Sequence, residues 1–230
     1  MQKRYYIAYG SNLNIRQMKM RCPGARIIGT SVVPDYELLF KGSKTGSYLT
    51  IEPKEGESVP VAVWETTEAD EAALDRYEGF PSFYYKAEME LPIVGIRTGK
   101  VRQRKVYVYI MHEDRELGIP SYHYVETCLE GYRAFEFDEN ILFEAIRKSR
   151  LAKKYIIRLK KTIQWCFALL CISAFLALVS IVFCRIPILA SSAKIAYYII
   201  LPTTLLWFVL VIVLFAIIIK QYRTDTESIS

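Results

Sequence analysis

Two short stretches of this 230-residue chain hold polar residues in arrangements that could do chemistry. In the first, a β-prone run from Arg4 to Tyr9 ends at Gly10, Ser11 and Asn12, just before a short amphipathic segment. A strand that ends in such a turn at the start of a helix exposes backbone N–H groups, which attract an anion or a developing negative charge. The alternative is an ordinary turn that uses Gly and Asn for their geometry alone.

The second stretch is LDRYEGF, residues 74–80, which contains Glu78. Glu78 falls at the C-terminal end of a predicted helix, where the negative end of the helix dipole disfavours an ionised carboxylate. If the side chain is also partly buried, its pKa rises toward neutrality, and this suits a general base. The alternative is an exposed, solvated glutamate at a helix end.

Other familiar sites are not predicted by the sequence. His112 and His123 are the only histidines, and no pair of Cys or His residues has the spacing of metal ligands. The segment GSKTGS, residues 42–47, lacks the spacing of a phosphate-binding loop, and Ser11 does not lie in a Gly-x-Ser-x-Gly motif. No dinucleotide-binding motif follows any predicted strand, so we expect neither a metal nor a cofactor.

The residues up to about 137 have the pattern of an α+β domain. Strands are predicted from β-branched and aromatic content at 4–9, 26–40, 47–52, 59–65, 83–91 and 101–111. Helices are predicted from Leu13 to Met20 with Asn12 as N-cap, between the cap Thr67 and the stop Gly79, from Ser121 onward, and from near Asp138.

The C-terminal third of the chain has a different composition. Residues 163–184 and 195–219 form uncharged runs of 22 and 25 residues, and neither run alternates a polar face with an apolar one. Each run is long enough to cross the hydrocarbon core of a bilayer, which needs about 20 residues in a helix. The sequence therefore predicts two transmembrane helices joined by a short loop.

Charge is distributed unevenly along the chain, whose net charge is +6. Residues 1–146 carry 18 basic and 22 acidic residues, whereas residues 147–161 carry eight basic residues and no acidic one. The basic segment predicts contact with anionic lipid headgroups and argues against nucleic acid as a partner. By the positive-inside rule, this is a multi-pass membrane protein whose N-terminal domain and both termini are expected in the cytosol. A second membrane protein is a further candidate partner, which would contact the predicted transmembrane helices.

Four segments together resemble the γ-glutamylcyclotransferase-like family. They are IAYGSNL at 7–13, LDRYEGFPSFYYK at 74–86, VYVYIM at 106–111 and GIPSYHYVETCLEGYRAF at 118–135. The Tyr-Gly-Ser-Asn turn followed by a helix that ends in Glu-Gly is the more specific part of the pattern, and the tyrosines support it more weakly. The resemblance covers residues 4 to about 137 in the family's order.

The resemblance implies a small mixed β-barrel with surrounding helices and one cavity at its mouth. It assigns the catalytic acid/base to Glu78, and it implies an enzyme that cyclises a γ-glutamyl group to 5-oxoproline and releases an amino acid or amine. The substrate-binding residues that it implies are Tyr9, Gly10, Ser11, Asn12, Leu13, Tyr85, Tyr109 and Tyr124.

The predicted C-terminal helices are a departure from typical members of that family. The domains expected are a cyclotransferase-like domain at 1–137, a basic helical connector at 138–161, a two-helix hairpin at 162–222 and a polar tail at 223–230. This arrangement also suits a second class of function, a membrane-tethered module that binds a γ-glutamyl or amine ligand without turning it over.

Overall fold

The computed structural model describes residues 3–43, 46–184, 209, 212–221 and 224. The chain divides into two compact units, Met1–Leu151 and Ala152–Ser230. The first unit contains the whole barrel described below and extends past residue 137, the predicted end of the N-terminal domain.

Five strands form the centre of the first unit. They are β1 (Arg4–Ala8), β2 (Arg26–Ser43), β3 (Gly46–Thr66), β4 (Tyr84–Gly95) and β5 (Val101–Met111). The strands close into a barrel in the order β1-β3-β2-β4-β5, and the closing pair β5 and β1 is parallel, with Tyr6 opposite Tyr107. All other pairs are antiparallel. The predicted α+β class with a small mixed barrel is confirmed.

The strands predicted at 47–52 and 59–65 are parts of one long strand, β3. The predicted gap between them corresponds to an irregularity in the pairing with β2, where the register shifts between Pro34 and Tyr36. Asp35 adopts a positive φ of 56° there, and its side chain accepts a hydrogen bond from the Gly56 amide. Residues typical of turns interrupt the sequence pattern at this point, but the ladder resumes beyond the irregularity.

Helix α2 begins and ends at the residues that its sequence predicts, and helix α3 begins where its sequence predicts. Helix α2 (Glu68–Glu78) has a capping box between Thr67 and Asp70, and it ends at Gly79, which has the left-handed φ of 66°. Helix α3 (Tyr122–Ala134) begins after Ser121, whose side chain accepts a hydrogen bond from the Tyr124 amide. Both N-caps satisfy amides that have no partner within the helix.

The first helix differs from its prediction. Residues Ser11–Leu13 form a single 3₁₀ turn, and helix α1 follows as Ile15–Arg21. The N-cap of α1 is Asn14, which accepts a hydrogen bond of 3.1 Å from the Gln17 amide. The prediction of Asn12 as the cap is therefore wrong, because the Asn12 side chain makes tertiary hydrogen bonds instead.

The last described long helix, α4, runs without a break from Glu139 to Cys184 and includes the basic segment. Its first turns belong to the barrel unit, where Leu142 and Ala145 are fully buried in the core. Within the described ranges, no helix has both the length and the apolar character needed to cross a membrane, so the transmembrane helix predicted at 163–184, which lies inside α4, is not supported. The predicted loop at 185–194 and most of the second predicted span lie outside the described residues.

Candidate active site

One small cavity in the barrel unit brings together residues from six strands and helices and from the turn after β1. Its volume is about 30 Å³, and its lining consists of Tyr6, Tyr9, Gly10, Ser11, Asn12, Leu49, Glu78, Tyr84, Tyr109 and Tyr124. Gly10 has no side chain, and among the other lining residues all but Leu49 have a side chain with a polar atom. The cavity is therefore a polar site within an otherwise apolar core.

Glu78 supplies the carboxylate of this cavity. It is the last residue of α2, and the turn at Gly79 ends the helix there. The residue is half-buried, with its carboxylate toward the cavity, where Oε1 accepts a hydrogen bond of 2.8 Å from Asn12 Nδ2. Burial raises the pKa of Glu78 to about 7, although the positive charge of Arg21 and the Asn12 hydrogen bond both oppose the increase.

Asn12 connects Glu78 to two further side chains. Its Nδ2 also donates a hydrogen bond of 2.9 Å to the hydroxyl of Tyr6, and its Oδ1 accepts one of 2.5 Å from Arg21 Nη1. Both ends of the amide thus have protein partners. This explains why Asn12 is unavailable as a helix cap.

The tyrosine hydroxyls of the cavity are held by hydrogen bonds to the barrel. Tyr9 donates to the backbone oxygen of Tyr109 at 2.6 Å, and Tyr84 donates to the backbone oxygen of Leu49 at 2.8 Å. The amide of Leu49 in turn donates to the hydroxyl of Tyr124 at 3.2 Å. These bonds orient three aromatic side chains around the carboxylate.

The tyrosines remain protonated at neutral pH. Burial raises the pKa of Tyr6, Tyr9, Tyr84 and Tyr124 well above the ordinary value, and the negative charge of Glu78 raises each of them further. Burial also raises the pKa of Tyr109, whose hydroxyl donates to Asp75 at 2.7 Å. Among the described cavity residues, Glu78 is the group that titrates near neutrality.

Gly10 permits a close approach of the chain to the cavity wall. Its φ of −121° is open to any residue, so the requirement is for space. A Cβ at this position would lie 3.2 Å from the Tyr124 hydroxyl and 3.4 Å from the Leu49 Cβ. A side chain at position 10 would therefore push against the wall that these two residues form.

The structure brings most of the predicted site residues together. Glu78 and six of the predicted substrate-binding residues line the cavity, namely Tyr9, Gly10, Ser11, Asn12, Tyr109 and Tyr124. Leu13 does not, because it is fully buried against α3, where a Cβ on Gly131 would come within 2.4 Å of the Leu13 Cβ.

Tyr85 also lies outside the cavity. Its hydroxyl donates to Glu113 Oε1 at 2.6 Å, and the neighbouring Tyr84 lines the cavity instead. Adjacent strand residues point to opposite faces, so only one of this pair can face inward. The sequence shows two adjacent tyrosines, and the tertiary pairing of β4 decides which one points into the barrel.

Sequence reasoning missed Tyr6, Leu49, Tyr84 and Arg21. Tyr6 lies in the same β-prone run as Tyr9, but burial along β1 does not alternate, so no period-2 pattern marks Tyr6. Arg21 reaches the site from the last turn of α1, and no local pattern marks it.

In the part of the chain that the structure describes, no group of three or more His, Cys, Asp or Glu could hold a metal ion.

The fold agrees with the comparison to known proteins. A model of the family described as gamma-glutamyl cyclotransferase, AIG2-like, matches residues 6–126, more than half of the chain, and the chain belongs to this family. A Bos taurus gamma-glutamylcyclotransferase is 33% identical over 87 residues, which is 35% of this chain. The match spans 46% of that relative, or about half of its length.

Solved structures show the same fold. A gamma-glutamyl cyclotransferase structure superposes with a TM-score of 0.52 at 24% identity, covering 59% of this chain and 81% of the other. A Homo sapiens protein described as uncharacterized, loc79017, has the same TM-score and coverage at 26% identity. YkqA from Bacillus subtilis also superposes with a TM-score of 0.52, at 18% identity, and the match covers 63% of this chain and 55% of the YkqA chain.

Proposed function

We propose that this protein cyclises the γ-glutamyl group of a small molecule to 5-oxoproline and releases an amino acid or amine. The observation that carries the proposal is a single carboxylate, Glu78, whose pKa is raised to about 7 in a cavity lined by neutral tyrosines. Such a group is partly ionised at neutral pH and partly protonated, so it can both accept and donate a proton. Membership of the cyclotransferase family supports the same reaction.

The reaction is an intramolecular aminolysis. The neutral α-amine of the γ-glutamyl group attacks its own γ-carbonyl carbon, and the new C–N bond closes a five-membered lactam. The C–N bond to the departing amine breaks. Attack within one molecule has a large effective molarity, so the protein must mainly fold the substrate and move protons. The atoms and electrons balance without a cofactor.

Glu78 is the proton carrier in this proposal. Its ionised carboxylate takes the proton released by the attacking amine and returns it to the nitrogen of the departing amine. The Asn12 amide holds Oε1 of the carboxylate, which supports the orientation of the group toward the cavity. One residue thereby serves as base in the first half of the reaction and as acid in the second.

The turn after β1 is proposed to bind the substrate. Gly10, Ser11 and Asn12 line the cavity, and no side chain caps the 3₁₀ turn that begins there. Backbone amides at the start of such a turn suit the substrate carboxylate or the oxyanion of the tetrahedral intermediate, and both assignments agree with this proposal. Because the cavity is small, we expect its tyrosine walls to move apart when a γ-glutamyl compound binds.

A location at a membrane is part of the proposal. It is supported by the two uncharged runs at 163–184 and 195–219 and by the basic residues that precede them. Large apolar side chains on α4 are exposed, among them Trp165 and Phe167, which are 71% and 68% exposed. Anionic lipid headgroups are the proposed partners of the basic segment.

The test incubates the protein with a panel of γ-glutamyl amino acids and γ-glutamyl amines and measures the release of 5-oxoproline by mass spectrometry. We expect the wild type to release it and Glu78→Gln to lose about 100-fold or more of the rate, since shape is retained but the base is lost. Glu68→Gln is the matched control, because Glu68 is an exposed residue of the same helix.

Two outcomes would contradict the proposal. Near-normal turnover by Glu78→Gln would exclude Glu78 as the proton carrier. Tight binding of one compound by the wild type without release of 5-oxoproline from any compound would favour the ligand-binding module over the enzyme.

A further inference from the structure

We propose that Arg21 is a positioning residue for this site: it fixes the Asn12 side chain so that the amide nitrogen faces Glu78, and it thereby aligns the carboxylate for proton transfer. This inference rests on the proposed function, because it concerns the group that moves the proton. The contacts among Arg21, Asn12 and Glu78 carry it.

The Asn12 amide has one orientation that satisfies its neighbours. Arg21 Nη1 donates to Oδ1 at 2.5 Å, while Nδ2 donates to Glu78 and to the Tyr6 hydroxyl. If the amide were flipped, its NH₂ group would face the guanidinium, which has only donors, and its oxygen would face the carboxylate, which accepts. Arg21 therefore selects the orientation in which Asn12 holds Glu78.

Arg21 is itself held in place by contacts that join two helices. Its guanidinium carbon lies 3.7 Å from the centre of the Tyr77 ring, and Tyr77 directly precedes Glu78 in α2. Its Nη2 donates to Gln17 Oε1, one turn earlier in α1. A planar guanidinium can stack and donate in this way at once, whereas the ammonium of a lysine cannot. The end of α1 is thus connected to the end of α2 at the carboxylate.

Arg21 is also the cation that acts on Glu78. The other titratable groups that couple to the carboxylate come from β1, β4, α3 and the residues that follow β1 and α1: Tyr6, Tyr9, Tyr84, Tyr124 and Cys22. Burial raises the pKa of each of them, that of Cys22 to about 12, so they are neutral at pH 7. The positive charge of Arg21 lowers the pKa of Glu78 against the effect of burial.

Loss of Arg21 should therefore change the reaction in a recognisable way. In Arg21→Gln the Asn12 amide is free to turn, and the carboxylate loses its nearby cation. We expect kcat to fall on the order of 100-fold, as for other small misplacements of reacting groups, with little change in KM. The pKa of Glu78 should rise above that of the wild type, so the pH–rate profile should move to higher pH.

The experiment is an NMR titration of the Glu78 carboxyl carbon in the full-length protein, together with kcat and KM for each variant. Arg21→Lys keeps the charge but not the fork, so we expect its Glu78 pKa to stay near that of the wild type while kcat recovers only in part. Arg16→Gln, an exposed residue of the same helix, is the matched control.

An unchanged Glu78 titration and unchanged kcat in Arg21→Gln would overturn the inference. An equal loss of kcat in Arg21→Gln and Arg21→Lys, with the Glu78 pKa at its wild-type value in both, would also overturn it, since the effect would then come from general damage. The titration does not depend on turnover. If the wild type released no 5-oxoproline, the proposed reaction would fail, and the role of Arg21 toward Glu78 would still be decided.

Discussion

Replacing Glu78 with glutamine should alter the pH dependence of folding stability, because the native environment of Glu78 favours its protonated form. The pKa of Glu78 rises from an ordinary 4.5 to about 7, and burial is the main cause. Above pH 7 the native protein must hold an ionised carboxylate in this cavity. The glutamine side chain has nearly the same shape and never ionises, so the variant avoids that cost.

The sign and size of the effect follow from the two pKa values. Below pH 4.5 the carboxyl is protonated in both states, and the stabilising effect of the tighter native proton is fully present. As pH rises from there to about 7, the unfolded chain ionises first, so the free energy of unfolding of the wild type falls relative to that of the variant. At about 1.4 kcal/mol per pH unit, the total is roughly 3 kcal/mol.

A suitable assay is thermal unfolding in mild detergent, monitored by the near-ultraviolet circular dichroism of the buried tyrosines. The comparison is the difference in Tm between Glu78→Gln and wild type at low pH and at high pH, so pH-independent effects of the substitution cancel. For a protein of this size, roughly 3 kcal/mol corresponds to a change of about 6–12 °C in that difference.

The variant should gain on the wild type as pH rises, and Glu68→Gln should not. A Tm difference that stays constant across pH, or one that shifts in favour of the wild type at high pH, would refute the account of Glu78 as a buried carboxyl with a raised pKa.

Two further predictions concern the tyrosines of β4 and the attachment of the protein to membranes. Tyr84→Phe should lower turnover and cost about 1 kcal/mol of stability, because the hydrogen bond to Leu49 is lost. Tyr85→Phe should leave turnover unchanged, because Tyr85 lies outside the cavity. Steady-state kinetics and Tm compare the two variants, and an equal loss of turnover would contradict the placement of Tyr84 inside the cavity and Tyr85 outside it. After alkaline carbonate extraction of cells, the full chain should stay with the membranes, and a variant that lacks residues 163–219 should not; recovery of both in the supernatant would exclude anchoring.

Features set by local chemistry could be predicted from the sequence. Thr67 and Gly79 fix the ends of α2, and through the helix end they fix the position of Glu78. Capping and left-handed turns depend on the residues at the ends themselves, so a short stretch of sequence is sufficient to show them. Ser121 predicts the start of α3 for the same reason.

Features that depend on distant partners could not be predicted in this way. Asn12 and Asn14 are equally good caps, and only the contact with Glu78, distant in sequence, decides that Asn14 is the cap. Arg21 has the same character, because its role follows from Tyr77 and Asn12 rather than from any motif around it. The two tyrosines at 84 and 85 differ only in which face of β4 they occupy.

Cyclisation can be distinguished from hydrolysis by the identity of the product formed from a γ-glutamyl compound in water enriched in ¹⁸O. Intramolecular attack by the α-amine involves no water, so we predict 5-oxoproline without ¹⁸O, formed by the wild type at a rate that Glu78→Gln does not approach. Glutamate carrying one ¹⁸O atom would show that water is the nucleophile, and it would contradict the proposed cyclisation.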